Sequence, residues 1–135
     1  MSESKQKTDS QILKSTFADL NDTEKERFNE LNIAKINEKY APLIPKNSRT
    51  HTLVLENGMG CVVHHPKPSV LSKVMGALAP TADKDMDLYK AGCAILTNCW
   101  IAGDKQLEID SDERFAIAVQ AVSIVQVMEG FVKKN

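Results

Sequence analysis

The sequence predicts an α+β fold, with one β-hairpin packed with a mostly helical bundle of about five helices. Three observations carry that expectation. Thr50 to His65 contains two β-rich runs around Asn57-Gly58, the residue pair preferred in a two-residue type I′ turn. On both sides of it, stretches bounded by prolines and capping residues repeat their apolar positions at helical spacing. Finally, no charge occurs from Phe115 to Met128, and the apolar residues there follow a helical period. At 135 residues, the chain suits one domain able to bury its own core.

Residues 1–8 are polar and lysine-bearing and read as a flexible tail, followed by an N-terminal helical extension over 9–48. Asp9 or Ser10 caps a short helix carrying Ile12, Leu13, Phe17 and Leu20. Thr23 and Glu26 form a capping box for a second helix, whose narrow apolar face is Phe28, Leu31 and Ile36. Such a face packs loosely on the rest of the chain or on a partner. Pro42 and Pro45 end this helix.

The core domain, residues 49–135, opens with the hairpin. A two-residue turn sets Val54 opposite Cys61, Leu53 opposite Val62 and His51 opposite His64. Leu53, Leu55 and Val62 then share one face, and Val54, Met59, Cys61 and Val63 the other. Pro68 suits the first turn of a helix carrying Val70, Leu71, Val74, Met75 and Leu78. Thr81 or Asp83 starts the next helix, where Leu88, Gly92, Ile95, Leu96 and Cys99 line one side. Gly92 permits close helix approach, and Gly103 closes the helix as a C-cap. Leu107 and Ile109 anchor a short extended link.

In the last segment Val and Ile favour strand, yet two-residue alternation fails at Ala116-Ile117-Ala118-Val119. Ile117, Ala121, Ile124, Val125, Met128, Phe131 and Val132 fall on one helical arc, with Asp110 and Glu113 as a capping pair. The opposite arc, Ala116, Val119, Gln120, Val122, Ser123, Gln126 and Val127, is apolar or neutral. A helix apolar nearly all round is covered on both sides, either within its own domain or by a partner.

A net charge of −1 and the lack of a basic stripe argue against nucleic-acid binding. The first residues lack the apolar stretch of a secretory signal, and no segment offers the roughly 20 apolar residues of a membrane span. Cys61, Cys93 and Cys99 are odd in number and unpaired in spacing, as expected of free thiols in a reducing compartment. His51, His64 and His65 supply too few convergent ligands for zinc. Asp83, Asp85 and Asp87 lack the glycine and terminal glutamate of a calcium loop. Gly58-Met59-Gly60 lacks the lysine and strand-to-helix setting of a phosphate loop. The reading is of a protein with no catalytic residues, no metal and no cofactor. Trp100, the only tryptophan, sits between the two most apolar helices and is expected in the structural core with Ile117, Ile124, Met128 and Phe131.

Several strings carry a resemblance over about residues 50–130. They are Leu71-Ser72-Lys73-Val74-Met75, Tyr89-Lys90-Ala91-Gly92, Ile95-Leu96, Asn98-Cys99-Trp100-Ile101-Ala102-Gly103-Asp104, Ile109, Asp112-Glu113 and the closing apolar helix. Together they resemble the small tail assembly chaperone-like proteins of phages and prophages. That resemblance implies a non-enzymatic role in the host cytoplasm, binding the tape-measure protein or another phage tail protein during assembly. The expected partner-binding surface is Val119, Val122, Gln126 and Val127, and a homo-oligomer through the same helix is compatible with it. The alternative is a structural virion or adaptor subunit that oligomerises through the C-terminal helix.

Overall fold

The computed structural model describes residues 7–79 and 87–133, with side chains described as far as Val125. Five helices, α1 (Asp9–Lys14), α2 (Asp22–Tyr40), α3 (Pro68–Leu78), α4 (Leu88–Cys99) and α5 (Asp112–Lys133), surround a three-stranded antiparallel sheet. The strands are β1 (Thr50–Val54), β2 (Gly60–His64) and β3 (Trp100–Gly103), in that spatial order. The α+β expectation holds, and the sheet gains a strand beyond the expected hairpin.

Helix starts are fixed by capping side chains, mostly one or two residues from the expected ones. Thr8 and Gln11 form the capping box of α1, displacing Asp9 and Ser10. Asn21 and Glu24 form that of α2, displacing Thr23 and Glu26. Several acceptors crowd each start, and the earlier one wins by adding helical residues downstream. Ser111, rather than Asp110, accepts from the Arg114 N–H at the start of α5. Thr81 and Asp83 lie outside the described residues; α4 begins at Leu88, where the Asp87 carboxylate accepts from the Lys90 N–H.

The hairpin forms in a register one residue from that expected. Leu53 pairs with Cys61, Val54 with Gly60 and His51 with Val63. The turn has three residues: Gly58 N–H donates to Leu55 C=O, and Leu55 N–H donates to Met59 C=O. Within the turn only Gly58 has a left-handed backbone, at φ 88°, whereas a type I′ turn needs Asn57 there too. Asn57 instead uses its side-chain oxygen to accept from the Met59 N–H, a local bond that holds it in an ordinary turn conformation. A one-residue shift exchanges the partners across the sheet. Leu53, Cys61 and Val63 therefore share the face that meets α3, α4 and α5, and Val54 and Val62 share the face that meets α2.

Both sheet faces are thus covered within the chain. On one side, Val70, Val74, Ile95, Leu96, Leu107 and Ile117 complete the main core. On the other, Ile36 of α2 packs on Val54 and Val62, joined by Ile33 and Ile101. Phe28, Asn32 and Ile36 form the single buried stripe of α2, and Phe28 joins Ile12 and Leu20 in a small third cluster with α1. Gly92 sits where α4 crosses α5, and a Cβ there would overlap the Ala118 backbone, so the expected close approach is present.

The Asn98–Asp104 string builds β3 instead of ending a helix with a glycine cap. Helix α4 stops at Cys99, because Trp100 turns to extended backbone. Trp100 pairs with Val63 and Gly103 with Cys61, with a bulge at Val62/Val63. Gly103 is needed for packing: a Cβ there would strike both the Trp100 ring and Cys61. Trp100 is accordingly half-buried against the core edge rather than enclosed within it. Asp104 then clamps Gly60 twice, its N–H donating to Gly60 C=O at 3.1 Å and its carboxylate accepting the Gly60 N–H at 2.8 Å. Beyond it, Lys105–Glu108 is a short 3-10 turn that buries Leu107, in place of the expected extended link.

Candidate functional site

At about 100° per residue, the buried residues of α5 cover an arc of about 160°. Ile117, Ala118, Ala121, Val122, Ile124 and Val125 are all buried, and Phe115, Ala116, Gln120 and Ser123 are exposed, with Val119 half-buried between. The helix is therefore covered on one side only, not on both as its composition suggests. Val122, placed on the expected partner surface, is 1% exposed and belongs to the core. It lies about 200° from Gln120, which puts it on the inward side. Val119 keeps partial access. Ile117 and Ile124 are in the core as expected, whereas the side chains of Gln126, Val127, Met128 and Phe131 lie outside those described.

The exposed arc of α5 forms one wall of an open groove of about 650 Å³. Asp112, Glu113, Ala116 and Gln120 line that wall, Val54 to Asn57 of the hairpin line the second, and Phe17 and Asn29 of the N-terminal helices the third. Cavities of about 300–1,000 Å³ are the usual size for bound ligands. Apolar surface comes from Phe17, Leu55 and Ala116, while Glu56, Asp112 and Glu113 make the rim acidic. Lys25 Nζ lies over the Phe17 ring, 5.2 Å from its centre.

Gln120 ties two of the walls together. Its amide nitrogen donates to Val54 C=O at 2.9 Å, and its oxygen accepts the Val54 N–H at 3.1 Å. In this antiparallel pair Leu53 and Leu55 turn their backbone groups toward β2, so those of Val54 face the open edge of the sheet. One side chain thus takes the place of a neighbouring strand at that position. Gln120, Phe17 and Asn29 were not singled out together in the sequence. Only the fold brings positions 54 and 120 into contact.

The histidines meet differently from the expected His51–His64 pairing. His51 Nε2 lies 2.8 Å from His65 Nδ1, so one ring donates and the other accepts. Burial is the main cause holding both below the usual histidine value; His65 and Arg49 add to this for His51, and Arg49 for His65. Burial also pushes the Cys61 thiol up to about 12, with the Asp104 charge adding to it, and raises Cys99 as well. Such thiols stay protonated and are poor nucleophiles. Asp87 is a helix cap rather than an ion ligand, and Asp83 and Asp85 lie outside the described residues.

Among the described residues, no helix is long and apolar enough to cross a membrane. No protein-family model, curated protein or solved structure matches the chain.

Proposed function

We propose that this chain is a non-enzymatic assembly helper of the phage tail chaperone kind, which holds a segment of the tape-measure protein or another tail protein in the groove beside the hairpin turn. The carrying observation is the groove itself, walled by α5, the hairpin and the N-terminal helices, with an apolar residue on each wall (Ala116, Leu55 and Phe17) beside the acidic Glu56, Asp112 and Glu113. That lining suits an amphipathic segment flanked by lysine or arginine, which sets apolar side chains against Phe17 and Leu55 and cations against Glu56, Asp112 and Glu113. The family resemblance over residues 50–130 supplies the identity of the partner. The N-terminal helices, outside that resemblance, contribute Phe17 and Asn29 to the groove and so extend the binding surface.

The test is co-expression with a tape-measure protein. The expected result is recovery of a soluble complex that Ala116→Arg weakens about tenfold, because an exposed wall position then carries bulk and charge. Binding unaffected by that substitution removes the groove from the reading. Particle composition separates the second role, a structural virion subunit: a chaperone is absent from mature particles, and a structural subunit is present in them at fixed stoichiometry.

A further inference from the structure

The hairpin has a second cavity at its other end, of about 380 Å³. Four separated parts of the chain wall it: Arg49 ahead of β1, His64 and His65 at the end of β2, Lys67 and Val70 at the start of α3, and Asn98 at the end of α4. Among the described residues no carboxylate lines it. Neither Arg49 nor Lys67 forms an ion pair among the described residues. Two permanent cations and two imidazoles therefore line one space that holds no counter-charge from the described residues. The groove beside the turn is acidic, so this is a local concentration of positive charge in a chain of net charge −1.

We propose that this pocket binds a phosphate-class oxyanion, either free or as the phosphate monoester of a small molecule. A guanidinium presents paired N–H donors that match two oxygens of such a group, and an ammonium adds a point charge. Arg49, just ahead of β1, and Lys67, the N-cap of α3, line the same cavity, so one anion there meets both charges. The first turn of α3 adds only the positive end of the helix dipole, because Pro68 has no N–H and the Val70 N–H already donates to Lys67 C=O. The histidines report occupancy. Arg49 lowers the His65 value, so an anion that offsets the guanidinium charge raises it again. The inference is independent of the groove, and either can fail alone.

The experiment is an NMR titration of the full chain with inorganic phosphate at pH 7, following the imidazole C–H signals at ionic strength held constant with chloride. The expected result is a saturable shift of His64 and His65 that sulfate reproduces and chloride does not. Arg49→Gln and Lys67→Gln each weaken binding about fivefold or more. Both positions are exposed, so urea unfolding midpoints stay unchanged. A glycerol phosphate arm distinguishes the sources: binding as tight as phosphate assigns a monoester, and rejection assigns the free ion. Linear, non-saturating shifts, or shifts unchanged in both variants, overturn the proposal.

Discussion

Gly92→Ala and Gly76→Ala are the same substitution in two helices, and they should change stability in opposite directions. Alanine improves helix propensity by about 0.8–1 kcal/mol at either position. At Gly76 in α3 nothing among the described residues lies within 4 Å of an added Cβ, so that gain stands alone and Gly76→Ala stabilises by about 0.5–1 kcal/mol. At Gly92 the new Cβ meets the Ala118 carbonyl of α5. Neither is a side chain that can rotate away, so the helices must separate where Ile95, Leu96, Ile117 and Ala121 pack. Overpacking costs about 1–3 kcal/mol where side chains can adjust, and a backbone collision falls at or above the top of that range. Net of propensity, Gly92→Ala should destabilise by about 2 kcal/mol or more. Urea unfolding followed by Trp100 fluorescence and by circular dichroism reads this directly. With a slope of about 1–3 kcal/mol per molar for a small protein, the midpoint falls by about 1 M. A midpoint for Gly92→Ala at or above that of the parent refutes the close contact between α4 and α5.

Val122→Glu should unfold the domain or cost more than about 3 kcal/mol, since it buries a carboxylate without a partner, whereas Ser123→Glu on the exposed arc stays within about 0.5 kcal/mol. A folded, stable Val122→Glu protein sinks the core placement and revives that residue as a surface. Thiol titration with a chromogenic disulfide should count one reactive cysteine in the native protein, Cys93, and three after denaturation; fast reaction of Cys61 or Cys99 contradicts their burial. Because Cys61 is raised in the folded state, its contribution to stability is complete below the ordinary thiol range. It is lost as pH climbs toward about 12, and a Cys61→Ala protein lacks that part of the alkaline decline.

The fold class and most helices were legible because each relied on local period and punctuation. Pro68 at the start of α3, the helical arc of Ile117, Ala121 and Ile124, and the hairpin around Asn57-Gly58 all hold. The hairpin register was not legible. Asn-Gly serves both a two-residue and a three-residue turn, and the choice rests on a side-chain bond from Met59 N–H to Asn57. Strand β3 was hidden because its four residues follow α4 without a break, and its partner lies in a distant hairpin. The two-sided character of α5 was obscured for a different reason: Ala116 and Val119 are apolar yet lie on the accessible side. The cationic pocket combines residues from Arg49 to Asn98, which no local pattern joins.

The double clamp between Asp104 and Gly60 has a consequence for the order of folding. The hairpin closes only a three-residue turn, whereas the clamp joins residues 44 positions apart. Closing so long a loop costs entropy that only prior packing of α3 and α4 offsets. On loop-closure entropy alone, the third strand is expected to join the sheet after the hairpin, and the Gln120 contact with Val54, spanning 66 positions, later still. The Gln120 contact ties two walls of the groove beside the turn, so on this expectation binding there requires a folded chain.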